Sequence, residues 1–173
     1  MSKPYDILLI KRNEMHDHEE SLNAHLSSIF GKDSELIINE EFESAVVIRH
    51  FNDVIASGVA YSRTMKQGSV NFKAGIIGGI GVAHDYRHQG LSKIIVEELD
   101  KHLAYLGTAH SFLFAYNTNI YRSSGYNELT SPIHFFDQNK KRWDLFVYRG
   151  GMCKSYCQHQ LDIQVIEFNG CIY

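Results

Sequence analysis

Gly78-Gly79-Ile80-Gly81-Val82-Ala83-His84-Asp85-Tyr86-Arg87-His88-Gln89-Gly90-Leu91-Ser92 runs directly into Lys93-Ile94-Ile95-Val96-Glu97-Glu98-Leu99. The β-branched residues interleaved with glycine read as a strand, and the polar residues up to Gly90 read as a tight loop. Beyond it Leu91, Ile94, Ile95, Leu99, His102 or Leu103, and Leu106 recur at helical spacing, with Gly107 as the stop. A helix that opens this way leaves several backbone N–H groups without intrahelical partners, at the positive end of its dipole. Such a junction suits a phosphate-bearing ligand.

Upstream, Tyr5 to Lys11 reads as a first strand, and Glu14 to Phe30 as an amphipathic helix with Leu22, Leu26, Ile29 and Phe30 on one side. The acid-rich stretch from Asp33 to Glu43 predicts a second short helix with its entry loop, most simply a solvated acidic face. Ala45–Ile48 and Val54–Tyr61 bracket the turn signal Asn52-Asp53, and Gln67-Gly68 marks another turn before Val70, Phe72 and Ala74 alternate towards Val82. Gly75, Gly78, Gly79 and Gly81 inside that last strand predict a bulge or a close approach by another backbone. Downstream, Ser111–Ala115 predicts a buried strand and Thr118–Ser124 a short helix ended by Gly125. Ile133–Phe136 and Trp143–Tyr148 predict further strands, and a last apolar run, Gln164–Phe168, precedes a tail ending in Gly170-Cys171-Ile172-Tyr173. The order βααβββαβαββ is that of an α/β sheet covered by helices, in a single domain over residues 1–173.

The 173 residues are 44% hydrophobic and 12% aromatic, enough for one core. A net charge of −3, with scattered lysines and arginines, gives no field that would draw in nucleic acid. No apolar run approaches the roughly 20 residues that span a bilayer, so no membrane partner is expected. Three cysteines, Cys153, Cys157 and Cys171, form an odd set that favours reduced thiols in the cytoplasm. Cys153, Cys157 and His159 lack a fourth ligand at recognisable spacing, so no metal is expected.

Arg87-His88-Gln89-Gly90-Leu91-Ser92, set at the central strand-to-helix turn, resembles the acetyl-CoA-binding loop of the GNAT superfamily of N-acetyltransferases. Ser92 stands where glycine or alanine is usual there, and His84 where proline is common. The resemblance implies a GNAT fold, a central mixed and mostly antiparallel sheet with a splayed, bulged central strand and helices on both faces. It implies that the loop residues Arg87, His88, Gln89, Gly90, Leu91 and Ser92 hold the pyrophosphate. The backbone of Ile80, Gly81 and Val82 would hydrogen-bond the pantetheine arm like an added strand. Asn119-Ile120-Tyr121-Arg122-Ser123-Ser124-Gly125-Tyr126 is similar to a second family segment, which implies Tyr121 as general acid to the leaving thiolate and Asn117 as a coenzyme contact.

In appearance the chain is most similar to the aminoglycoside 2′-N-acetyltransferases, from the run Gly75 to Tyr126 and the tail. Those enzymes keep a glutamate where this chain has Gly78. Deprotonation of the amine then falls to ordered water, to Glu40, Glu41 and Glu43, or to a histidine such as His50. Glu40, Glu41 and the terminal carboxylate of Tyr173 are the expected contacts of a small cationic amine acceptor, such as an amino sugar. Two other readings remain open: a longer acyl donor such as acyl-carrier protein, or a CoA-binding sensor without turnover. Exposed C-terminal strands leave a homodimer open as well.

Overall fold

The computed structural model describes residues 4–146 and 148–173. The chain divides into two compact units, Met1–Tyr61 with Ile77–His102, and Ser62–Ile76 with Leu103–Tyr173. In the first unit β1 (Tyr5–Lys11) is followed by a 3-10 turn over Arg12–Asp17 and by α1 (Glu19–Phe30). The sequence predicts one helix from residue 14; instead the chain breaks at His18, whose amide bonds Met15 O and whose carbonyl accepts from Leu22 N to start α1. β2 (Phe42–His50) pairs antiparallel with β1 and with β3 (Asp53–Gln67), and the turn between β2 and β3 is carried by Phe51 at φ 56°. β4 (Val70–Val82) then leads through a 3-10 turn at His84–Tyr86 into α2 (Leu91–Tyr105).

The second helix expected over residues 33–43 does not form: Phe42 and Glu43 open β2, and residues 33–41 are a segment of turn and loop. Its backbone groups are claimed from outside: Leu36 N donates to Asn23 Oδ1 at 2.8 Å, and Tyr61 OH donates to Ile37 O at 2.8 Å. Side chains of α1 and β3 thus supply bonds that compete with an i to i−4 ladder.

α2 packs its apolar face on the sheet because two strand glycines admit it. A Cβ on Gly58 would stand 2.4 Å from Ile95 Cγ2, and in the second unit a Cβ on Gly75 would stand 2.7 Å from Leu103 Cδ1. Ile95, Leu99 and Leu103 are fully buried there, each worth about 1.5–3 kcal/mol of transfer free energy.

The second unit holds β5 (His110–Phe114), α3 (Asn119–Arg122), β6 (Asn127–Glu128), β7 (Ile133–Asp137), β8 (Arg142–Phe146), β9 (Gly151–Ser155) and β10 (Ile166–Glu167). β5 runs parallel to β4 from Ala74↔His110 to Ile76↔Phe112, and β10 runs parallel to β7. β5–β9, β6–β9, β3–β10 and β7–β8 are antiparallel. This is the α/β architecture with a mixed, mostly antiparallel sheet that the resemblance implies. β6 and β9 were not legible in the pattern, and Val147, within the expected strand to Tyr148, lies outside the described residues.

Candidate functional site

The junction at the end of β4 has the geometry that its sequence predicts. Ala83 N donates to Ile55 O at 2.8 Å, Tyr86 N to Ala83 O at 2.9 Å, and Arg87 Nε back to Val82 O at 3.2 Å, which fixes the loop to the strand end. His88 and Gly90 take left-handed φ of 61° and 77°. The first α-helical bond shown runs from Ile94 N to Gly90 O, 3.2 Å, so the amides of Leu91, Ser92 and Lys93 precede the helical ladder. Arg87, His88, Gln89 and Gly90 are exposed, Ser92 is half-buried, and buried Leu91 anchors the helix start. Beneath the loop Tyr5 OH donates to Gln89 Oε1 at 2.7 Å, and Tyr86 OH lies 2.9 Å from His50 Nδ1. His50 therefore braces the loop. The rings of Tyr5, His50 and Tyr86 meet edge to face, 5.6–6.3 Å apart.

β4 changes its backbone conformation where its glycines cluster. Gly79 lies at φ 59°, a left-handed residue inside a strand. His25 of α1, only 6% exposed, donates from Nε2 to Gly81 O at 3.2 Å. Burial pushes the imidazole below its ordinary value, which keeps it neutral, although hydrogen bonds to the Gly81 and Val54 backbone pull the other way. A Cβ on Gly81 would come within 3.2 Å of Ile29 and Phe30, so α1 sits close against this strand. Ile80 and Val82 are half-buried. Gly78 differs: nothing lies within 4 Å of where its Cβ would be. Sequence reasoning missed His25, whose only signal was a histidine on the apolar side of an amphipathic helix.

In the second unit Asn117 precedes α3, its Oδ1 accepting from Asn119 N at 3.2 Å. Tyr121 is 8% exposed, and burial pushes its phenol upwards, so it is held protonated. Its hydroxyl has no hydrogen-bond partner among the described residues, whereas Tyr126 OH and Tyr156 OH both bond Ser111 Oγ. At the end of β5, just before Asn117, a cavity of about 480 Å³ is lined by Phe114, Ala115, Tyr116, Arg149 and Gly150. Tyr116 and Arg149 were not singled out by the sequence.

Glu40 is exposed on the loop before β2, and Arg12 holds that loop by donating to Glu40 O at 2.6 Å and Phe42 O at 2.7 Å. Glu41 is half-buried, its amide bonded to Asn39 Oδ1. The tail is docked in its own unit: Arg63 Nη1 donates to Cys171 O at 2.5 Å and Phe168 O at 3.2 Å, and the guanidinium lies 5.3 Å from the Tyr173 ring centre. Among the described residues no three His, Cys, Asp or Glu side chains gather as a metal site would require. The Cys153 thiol is pushed up to about 12, by burial first and the Cys157 charge second, which makes it a poor ligand. No helix among the described residues is long and apolar enough to cross a membrane.

An α/β fold whose strand ends in an amide-lined loop at a helix start offers a site for a phosphate-bearing ligand. The family described as acetyltransferase (GNAT) domain matches residues 15–129, and the chain belongs to that family. An aminoglycoside acetyltransferase from an uncultured soil metagenomic sample is 20% identical, with TM-score 0.56, over 75% of this chain and 94% of that one. The ribosomal-protein-S18-alanine N-acetyltransferase from Escherichia coli is 16% identical, with TM-score 0.57, over 90% and 96%. An N-acetyltransferase from Kribbella flavida is 18% identical, with TM-score 0.58, over 74% of this chain; the match spans only 34% of that protein's length. No curated protein sequence matches the chain.

Proposed function

We propose that this chain acts as a single GNAT-type domain that transfers the acetyl group of acetyl-CoA to a primary amine of a small acceptor, in the cytoplasm. The observation that carries the reading is the Gly90 loop, exposed, left-handed and followed by the free first-turn amides of α2. Arg87, His88, Gln89, Gly90, Leu91 and Ser92 would take the pyrophosphate, Ile80 to Val82 the pantetheine, and Asn117 a further coenzyme contact. The amine nitrogen attacks the thioester carbonyl, the C–S bond breaks, and the departing sulfur takes its proton from the Tyr121 phenol. The proton of the amine goes to water or to an acidic side chain. Burial favours this role for Tyr121, because it holds the phenol protonated before the bond breaks. The acidic segment with Glu40 and Glu41 supports an acceptor of cationic, amino-sugar-like character, with Tyr173 of the docked tail as a further expected contact. The odd cysteine count supports a reducing compartment.

The test is a thiol-release assay over a panel of amines, with CoA binding measured beside it. Tyr121→Phe should lower kcat by roughly 10²–10⁴, the range of general-acid catalysis, while leaving the CoA dissociation constant unchanged. Full activity in that variant would remove the acid assignment. The vacancy at Gly78 favours a second reading, a CoA-binding module without turnover. Saturable CoA binding with no thiol release for any amine would establish that reading.

A further inference from the structure

β8, Arg142-Trp143-Asp144-Leu145-Phe146, is the end strand of its row and, among the described residues, pairs on one side only, with β7. Phe136 N donates to Gly170 O and Phe168 N donates to His134 O, both at 2.9 Å, so His134 and Phe136 turn their main-chain groups away from β8. Their register partners are Leu145 and Trp143. In an antiparallel ladder these are the non-hydrogen-bonded pairs, so Leu145 and Trp143 direct N–H and C=O outward from the sheet edge. Asp144 Oδ1 takes the Leu145 amide at 3.0 Å. Among the described residues nothing takes the outward groups of Trp143.

The same two residues carry exposed apolar side chains, Trp143 at 50% and Leu145 at 56%. Trp143 continues an aromatic stripe, its ring centre 5.5 Å from Phe136 and 5.4 Å from His134. An edge strand with open main-chain groups and an apolar face is a template for another strand. We propose that the strand it takes is β8 of a second copy of this chain, antiparallel across a two-fold axis through Trp143.

The charges select this occupant and this register. With Trp143 on the axis, its N–H and C=O exchange two bonds with their own symmetry mates. Arg142 then faces the partner's Asp144, and Asp144 faces the partner's Arg142, each in a closely spaced non-hydrogen-bonded pair. Within one chain Arg142 Nη2 already lies 3.1 Å from Asp144 Oδ2, so pairing produces four charges of alternating sign on one face. Moving the axis one residue to Asp144 would set two carboxylates against each other. The opposite face joins the stripes of the two copies.

Sedimentation of the intact chain tests this, and the short ladder predicts a dissociation constant on the order of micromolar, at the small end of specific interfaces. Arg142→Asp alone and Asp144→Arg alone should each weaken the dimer tenfold or more. An equal mixture of the two variants should recover it as a heterodimer, because one chain is then doubly acidic at the edge and the other doubly basic. Circular dichroism of each variant confirms that it is folded. Trp143 is the single tryptophan, so its emission should shift to the red on dilution through the dimer range. A wild-type chain that stays monomeric well above micromolar concentration would overturn the proposal. So would a dimer indifferent to both substitutions, variants that fail to recover on mixing, or an emission that ignores dissociation.

Discussion

Replacing Gly90 by alanine separates the cost of a backbone conformation from the cost of blocking an anion. Gly90 lies at φ +77°, and nothing stands within 4 Å of the position its Cβ would take. Gly107 is matched in both respects, at φ +80° with open space around it. It closes α2 through Gly107 N to Ala104 O and Thr108 N to Leu103 O, each 3.1 Å. A left-handed conformation costs an ordinary residue about 1–2 kcal/mol, so Gly90→Ala and Gly107→Ala should lose stability about equally. At roughly 2–4 °C per kcal/mol for a chain of this size, each should melt about 2–8 °C below wild type. Coenzyme binding should separate them. A methyl group on the exposed side of the Gly90 loop occupies the space through which phosphate oxygens reach the amides. Losing one charge-assisted hydrogen bond costs about 1.5–3 kcal/mol, or roughly 10- to 150-fold in dissociation constant. Calorimetric titration with CoA, together with thermal melts, reads both quantities. If Gly90→Ala binds CoA as tightly as Gly107→Ala, the loop does not cradle the pyrophosphate.

Two further outcomes follow from buried and open positions. His110 is fully buried, with Nδ1 2.8 Å from Ser155 Oγ and Nε2 3.2 Å from His159 Nδ1, and burial, then the His159 charge, pushes it down to about 4. A folded value below the ordinary 6.5 means that its contribution is complete above pH 6.5 and fades as pH falls towards 4. Between pH 7 and 5 linkage predicts a loss of about 2 kcal/mol in urea unfolding, absent in His110→Gln; an equal slope in the variant would refute the assignment. At Gly78, where a Cβ would meet nothing within 4 Å, Gly78→Glu should fold and bind CoA as wild type does. If amine deprotonation limits turnover, this variant should gain tenfold or more in kcat/KM near neutral pH and a limb near the ordinary carboxylate pKa, about 4.3; an unchanged profile would sink that explanation.

The parts of this fold that were legible in the sequence are those whose physics is contiguous. The run from Gly78 to Leu106 carries its own strand glycines, its left-handed Gly90 and its helical period, so β4, the loop and α2 could be read together. β9 could not, because Gly151-Met152-Cys153-Lys154-Ser155 has no β-branched residue and opens on glycine. Its strand state comes from the register on β5, from His110↔Ser155 to Phe114↔Gly151, and from room that only glycine leaves. A Cβ on neighbouring Gly150 would stand 1.8 Å from Ala115 O. The acidic segment failed for the converse reason: its composition permits a helix, but Asn23 and Tyr61 take the backbone groups that a helix would use. The site divides the same way. Gly90 declares itself by residue type, whereas His25 acts on Gly81 across 56 positions of sequence and looks, in its own helix, like any half-polar core residue. The strand is thus held at Gly81 by a group that local pattern cannot reveal. Local pattern can therefore mark a glycine-dependent loop while the distant side chain that holds the neighbouring strand leaves no local trace.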